Sequence, residues 1–282
     1  MNLLNVTVSN PEKKFKYPFI TPLFQKGFTI NFAPITIIVG ENGVGKSTLL
    51  ESIADKLEFP VTGGGANNRG MYQEISFALN HYSDSFFTFA ESINNKRYYK
   101  ETDNLELAKN MDCVWKIKSK KGAFVRSESF AMMINIPKFK HATNLSHGEG
   151  IIDVVKSIYD DGVYILDEPE AGLSPIKVIE LMALMLNKIE TSHCQFILST
   201  HSPILMLIPT AKLLFMDENS ISEITAEQTS HFKLTKQILN NSDEFLNRYF
   251  NWFFKIAKYT SMFTSNNTRY TFWGLNLHWQ KI

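Results

Sequence analysis

The residues best suited to chemistry form a glycine-rich loop near the start of the chain. Gly40 and Gly45 enclose four residues, and Lys46 and Ser47 follow directly. Glycines let backbone N–H groups curl around a phosphate at a helix N-terminus, a lysine adds a point charge, and a serine hydroxyl can ligate Mg²⁺. This spacing predicts a P-loop that binds a nucleoside triphosphate. The residues expected to bind it are Gly40, Glu41, Asn42, Gly43, Val44, Gly45, Lys46, Ser47 and Thr48.

Two acidic residues and a histidine follow apolar runs further along the chain. Asp167 and Glu168 come after the run at 162–166, and His201 comes just after the run at 195–199. Ligands of open α/β sheets bind outside the carboxyl ends of the strands, so these side chains are expected beside the phosphates. We expect Asp167 to hold Mg²⁺ directly or through water, and Glu168 to polarise the attacking water. His201 is expected to contact the γ-phosphate, although a loop histidine can also be purely structural. The candidate catalytic residues are Glu168, His201 and Lys46.

Short β-branched and apolar runs predict the strands that position these residues. The predicted strands are 3–8, 28–32, 35–39, 85–89, 162–166, 195–199, 212–216 and 220–224. The predicted helices are 46–57, 151–158, 176–189 and 230–240, with Ser174 as an N-cap and a proline after it. We expect the first two strands to flank the P-loop strand. The alternation of strands and helices indicates an α/β protein with a mainly parallel core sheet.

Bulk composition places the chain among ordinary globular proteins. Of its 282 residues 44% are hydrophobic and 20% are charged, and the formal net charge is +1. The two cysteines lack the spacing of a metal site, which suits a reducing compartment. The first residues do not resemble a signal peptide, and no run approaches the ~18 apolar residues of a membrane span. We therefore expect a cytoplasmic protein without a membrane partner.

A basic segment interrupts the middle of the chain. Residues 93–141 carry a formal charge of +6, so the remainder carries −5. Within the segment, 113–127 is predicted to be a hairpin that turns at 120–122, with alternating lysines on one face. Those lysines are Lys116, Lys118 and Lys120. The face could be merely solvated, or it could bind nucleic acid or an acidic partner, so DNA is a candidate ligand of this arm.

One domain with four parts is the expected organisation. These are a P-loop lobe (1–92), a basic inserted arm (93–143), a second lobe (144–250) and an aromatic tail (251–282). The tail holds three of the four tryptophans and could pack on the body or meet a partner.

Four motifs in a fixed order resemble the head of an ABC-type ATPase. They are the P-loop at 40–47, Leu-Ser-His-Gly-Glu at 145–149, Ile-Leu-Asp-Glu-Pro at 165–169 and Ser-Thr-His-Ser-Pro at 199–203. The chain resembles stand-alone bacterial AAA-family or RecF-like ATPases more than it resembles transporter subunits. The resemblance implies a P-loop NTPase fold with an added antiparallel β subdomain, ATP and Mg²⁺ as ligands, and hydrolysis of ATP.

The resemblance also implies a dimer in which two protomers enclose two ATP molecules. The signature of one protomer, at Ser146, His147, Gly148 and Glu149, would complete the P-loop site of the other. Ser146 and Glu149 also have the spacing of a helix capping box, which is the structural alternative. The family's glutamine between P-loop and signature has two candidates as a metal-site residue here, Gln73 and Glu91.

Two main functions compete. The first is an ATPase that switches a partner protein or acts on DNA, in genome maintenance or phage defence. The second is the nucleotide-binding subunit of an ABC transporter. The 81 residues after His201 show no acidic cluster, so a nuclease would be a separate effector chain. No heptad run separates P-loop and signature, which argues against a coiled-coil repair ATPase.

Overall fold

The computed structural model describes 3–10, 17–57, 59, 105–117, 121–126, 151–152, 155–156 and 161–251. The strands are β1 (Leu3–Val8), β2 (Phe28–Asn31), β3 (Ile35–Val39), β4 (Met111–Trp115), β5 (Gly122–Arg126), β6 (Val163–Asp167), β7 (Gln195–Ser199), β8 (Lys212–Met216) and β9 (Ile221–Glu223). The helices are α1 (Pro22–Lys26), α2 (Lys46–Lys56), α3 (Leu105–Lys109), α4 (Pro175–Ser192) and α5 (Ser230–Asn240), with 3₁₀ turns at Leu205–Leu207 and Ala226–Gln228.

A six-stranded sheet forms the centre, in the order β5-β6-β7-β3-β8-β9. Its first five strands are parallel, and β9 is an antiparallel edge. Every residue of β3, β6 and β7 is buried, as expected for strands covered on both faces. The predicted α/β class with a mainly parallel core sheet is confirmed.

A second sheet is antiparallel and has the order β2-β1-β4. It is the predicted antiparallel subdomain, but the expectation that 3–8 and 28–32 flank the P-loop strand is wrong. β3 instead lies between β7 and β8. The side chain of Gln195 joins β7 to this sheet, because it accepts from the N–H of Leu3 and donates to its carbonyl at 2.8 and 2.9 Å.

The predicted hairpin over 113–127 is also wrong. β4 pairs with β1 in the antiparallel sheet, whereas β5 runs parallel to β6 at the edge of the central sheet. Alternation of apolar and polar residues predicts two strands correctly but does not identify their partners. Lys116 follows the end of β4 and is exposed, while Lys118 and Lys120 lie outside the described residues.

Helix α2, which follows the P-loop directly, packs into the hydrophobic core. Its buried side chains Leu49, Leu50 and Ile53 belong to one cluster with residues of both sheets. The helix contacts β5, β6 and β7 of the central sheet and β4 of the other. The start of α2 is therefore fixed in position by packing on several strands.

The predicted helix after Ser174 is confirmed as α4, where the Ser174 side chain accepts from the N–H of Lys177. The part of 151–158 that the structure describes is helical, with Ile151, Ile152 and Val155 buried.

None of the helices in the described ranges combines the length and the apolar character that crossing a membrane requires.

The chain divides into two compact units, 1–231 and 232–282. The described part of the second unit, 232–251, is mainly helical and holds no buried side chain. The strand expected near 85–89 and the aromatic tail after residue 251 lie outside the described residues.

Candidate functional site

The glycine-rich loop joins the end of β3 to the start of α2, as predicted. Gly40 lies so close to β8 that a Cβ atom there would stand 2.2 Å from the carbonyl oxygen of Met216. Gly45 has φ +100°, and a Cβ atom there would lie 2.9 Å from the ring of Phe24. The left-handed region is costly for residues with a side chain, so both the spacing and the backbone require glycine.

Lys46 turns back over the loop from the first position of α2. Its Nζ donates to the carbonyl oxygens of Gly40 and Glu41, both at 2.8 Å. Burial lowers the pKa of this ammonium group, while the nearby carboxylates of Glu168, Asp167 and Glu41 act in the opposite direction. The lysine is thus a buried cation at the loop where phosphates are expected to bind.

Asp167 ends β6 and meets the P-loop helix through its carboxylate. Its Oδ1 accepts from Ser199 Oγ at 2.5 Å and from Ser47 Oγ at 3.3 Å, although Ser47 is 120 positions away in sequence. Hydroxyl and carboxylate oxygens are the hard donors that Mg²⁺ prefers. The side chains of Ser47 and Asp167 therefore fit the predicted magnesium site.

Glu168 occupies a bend directly after β6 with φ +49°, an uncommon conformation for a residue with a side chain. Its N–H donates to the carbonyl oxygen of Ser199 at 3.2 Å, which ties the bend to the end of β7. Its side chain is 47% exposed and lines a cavity of about 600 Å³. The carboxylate can therefore reach a water molecule, as a general base must.

His201 follows β7 and lines the same cavity. Its Nδ1 lies 3.3 Å from Nε2 of His231, and its Nε2 lies 3.6 Å from Oε1 of Glu168. Burial lowers the pKa of His201 to about 4, and the Lys46 cation adds to that effect. The ring is thus neutral at neutral pH, so the approach to Glu168 is not an ion pair.

Glu170 fixes the loop that carries His201. Its Oε1 accepts from Thr200 Oγ1 at 2.6 Å and from the N–H groups of His201 and Ser202 at 2.7 and 3.1 Å. Three donors on one carboxylate oxygen hold the backbone of 200–202 in one place. The sequence pattern did not mark Glu170 for this role.

The structure brings most of the predicted site residues together at the carboxyl edge of the central sheet. Glu41, Asn42, Glu168 and His201 line the cavity with Ser230 and His231, and Lys46, Ser47 and Asp167 are joined to them by the contacts above. Thr48 accepts or donates a hydrogen bond with the hydroxyl of Tyr17. Six predicted residues lie outside the described part of the chain: Gln73, Glu91, Ser146, His147, Gly148 and Glu149.

Six residues described at the site were not among the predicted site residues. They are Glu51, Arg126, Glu170, Ser199, Ser230 and His231. Ser199 is the last residue of the predicted strand 195–199 and the first of the motif at 199–203, so its position was a usable signal. Arg126 was counted among the basic residues of the inserted arm, and no local pattern distinguished it from them.

Two protein-family models match the chain. The model described as "ABC transporter" matches residues 23–171, which is more than half of the chain. The model described as "AAA domain, putative AbiEii toxin, Type IV TA system" matches residues 147–207. No curated protein matches the chain.

A comparison with solved structures finds similar chains at low sequence identity and with TM-scores near 0.4. The SMC head domain from Thermotoga maritima is 14% identical with a TM-score of 0.42, over 79% of this chain and 99% of that one. CbiO1 from Clostridium perfringens, part of the ABC transporter complex cbiONQ, is 20% identical with a TM-score of 0.42, over 85% and 96%. A nucleotide-free ATP-binding cassette from an ABC transporter is 15% identical with a TM-score of 0.41, over 79% and 91%.

Proposed function

The chain belongs to the ABC transporter family of ATP-hydrolysing proteins, and from that premise we propose that it works as an ATP-dependent homodimer that switches a partner protein. The observation that carries the ATPase part of the proposal is the contact between Ser47 Oγ and Asp167 Oδ1 at 3.3 Å. It joins the end of the P-loop to the end of β6. A triphosphate bound to the loop would then lie beside the carboxylates that hydrolysis requires.

Each of these residues at the carboxyl edge of the central sheet has a part in the proposed reaction. The loop N–H groups and Lys46 bind the phosphates, and Ser47 and Asp167 would hold Mg²⁺, which neutralises charge on the phosphate oxygens. Glu168 takes the proton of the attacking water as general base. His201, held by Glu170 and neutral, donates from Nε2 to the γ-phosphate, which requires that Nδ1 accept the proton of His231 Nε2.

The dimer is proposed because the family signature acts across two protomers. Ser146 and Gly148 of one copy would contact the γ-phosphate bound to the other, and His147 and Glu149 would stand beside them. ATP binding would then join the protomers, and hydrolysis would release them.

We place the protein outside a transporter and pair it with a separate effector, such as a nuclease. The match of residues 147–207 to a model described as a putative toxin of a type IV TA system supports a role outside transport, and defence against phage is the setting that we propose. The second candidate function is the nucleotide-binding subunit of a transporter, which is favoured by the description of the larger family match. A chain that stays monomeric with ATP and hydrolyses it only beside a membrane partner would support that candidate.

DNA is a further candidate ligand, through the basic segment 93–141. Its described residues offer limited support, because Lys109 pairs with Glu106 at 2.8 Å and Arg126 is buried between carboxylates. The test changes Lys116, Lys118 and Lys120 together to serine and measures how the affinity for DNA depends on salt concentration. Each lost phosphate contact should flatten the slope of log affinity against log salt concentration by about 0.9, hence by about 2 to 3 for the three lysines, with ATP hydrolysis retained. An unchanged slope would exclude these lysines as a DNA-binding surface.

Light scattering on the full chain tests the homodimer. We expect Glu168→Gln to be monomeric without nucleotide and dimeric with ATP and Mg²⁺, because bound ATP is not consumed. Adding Ser146→Arg should abolish the dimer while ATP still binds to monomers. The matched control is Ser222→Arg, on the exposed edge strand β9, which should leave the dimer intact. If the measured molecular mass changes neither when ATP is added nor when Ser146→Arg is introduced, the proposed homodimer is contradicted.

A further inference from the structure

Arg126 is buried beside the proposed magnesium site, at the end of β5. In the parallel ladder Arg126 stands opposite Asp167. Its Nε donates to Oδ2 of Asp167 at 3.0 Å, and its Nη2 lies 2.6 Å from Oε1 of Glu51. The three side chains are 12%, 4% and 6% exposed, so these are short contacts between charges that water barely reaches. The guanidinium therefore links β6 to helix α2.

Glu51 connects this link to the P-loop. It lies four positions after Ser47 on α2, and residues four apart in a helix share one face. The face that offers the Ser47 hydroxyl to Asp167 thus also offers the Glu51 carboxylate to Arg126. One guanidinium fixes the distance between the P-loop helix and the strand that ends in Asp167.

Both oxygens of Asp167 are engaged by this arrangement. Ser199 and Ser47 donate to Oδ1, while Arg126 donates to Oδ2. Donors on both sides of a carboxylate set the plane of the group and prevent its rotation. We propose that Arg126 is a positioning residue that orients Asp167 toward the metal ion of the nucleotide, an inference that rests on the proposed role of Asp167 at that ion.

Charge and orientation predict opposite effects if Arg126 is removed alone. Loss of a cation would strengthen the binding of a second cation nearby, whereas loss of orientation would weaken it. Since Glu51 and Arg126 carry opposite charges, removing both leaves the net charge unchanged. The double variant Glu51→Gln/Arg126→Gln therefore isolates the effect of orientation.

The test measures ATP affinity of the full chain with a fluorescent ATP analogue, once with Mn²⁺ and once with EDTA. We expect the double variant to bind metal-free ATP within about twofold of the wild-type affinity. Its affinity with Mn²⁺ should fall by about 10-fold or more, the usual effect of losing a residue that orients a metal ligand. The affinity of Arg126→Lys with Mn²⁺ should lie between those of the wild type and the double variant, because a lysine ammonium cannot span two carboxylates as the planar guanidinium does.

The matched control is Glu106→Gln/Lys109→Gln, which removes an exposed Glu–Lys ion pair at 2.8 Å, also leaves the net charge unchanged, and should change neither affinity. Wild-type affinity with Mn²⁺ in the double variant overturns the inference. If that variant does not fold, Arg126→Lys decides: reduced Mn²⁺-dependent affinity supports positioning, while full affinity or loss of folding overturns it. If Mn²⁺ does not tighten wild-type binding, or Asp167→Asn has no effect, the metal role of Asp167 itself fails and the inference fails with it.

Discussion

Acid should destabilise this protein through His201, because the folded chain resists protonation of that ring. Burial lowers the pKa of His201 from 6.5 to about 4. As the pH falls through 6.5 the unfolded chain takes up a proton that the folded chain does not, so stability is lost with falling pH until the folded group also titrates near pH 4. The stability linked to the neutral His201 ring is fully present above the pKa of this histidine in the unfolded chain. It is absent below the pKa of the ring in the folded chain.

The magnitude follows from the two pKa values. Between about pH 7.5 and about pH 5 their difference corresponds to a loss of about 2 kcal/mol in the free energy of unfolding. The side chain of His201 keeps 24% of its surface exposed, and solvent screening should reduce the measured loss to about 1–2 kcal/mol. His201→Gln has no titrating group at this position and should lack this part of the loss.

The assay is urea unfolding of both proteins at the two pH values, without nucleotide, since a ligand would add its own stabilisation. We expect the free energy of unfolding of the wild type, relative to that of His201→Gln, to fall by about 1–2 kcal/mol on going from the higher to the lower pH. Titrating groups that have no contact with His201 cancel in that difference. A difference that is constant with pH, or that grows in acid, would show that His201 has an ordinary or raised pKa and would refute the reasoning.

Two further substitutions test the geometry of the site. Gly45→Ala should weaken ATP binding by at least about 10-fold, because φ +100° is unfavourable for alanine and its Cβ would meet the Phe24 ring at 2.9 Å; unchanged affinity in a titration would contradict the backbone assignment. Ser199→Ala should lower the free energy of unfolding by about 1.5–3 kcal/mol, since Asp167 loses a buried hydrogen bond; urea unfolding with an unchanged midpoint would show that this bond contributes nothing.

Much of the central sheet could be predicted from local sequence. The strands β3, β6 and β7 are fully buried, and the continuous β-branched and apolar runs that encode them are visible without a structure. The order of motifs along the chain then placed Lys46 and Asp167 at one edge, because parallel strands share the direction of their carboxyl ends. These predictions depended on patterns contained within single elements.

Predictions that depended on long-range pairing were less successful. The runs of β4 and β5 are close in sequence and alternate, which favoured a hairpin, yet their partners are β1 and β6. The same error hid the role of Arg126. On a solvated arm it would be one surface cation among many, but in β5 it stands opposite Asp167. Strand register, and not residue type, brings its charge to the site.

The measurement that tests the central claim most directly is ATP hydrolysis by the Glu168→Gln protein. The claim is that the carboxylate after β6 acts as general base on ATP bound at the P-loop. We predict that Glu168→Gln binds ATP with wild-type affinity and hydrolyses it at least ~100-fold more slowly. Glu227→Gln, at an exposed position of a 3₁₀ turn, is the matched control and should keep the wild-type rate. Wild-type turnover in the Glu168→Gln protein would contradict the account.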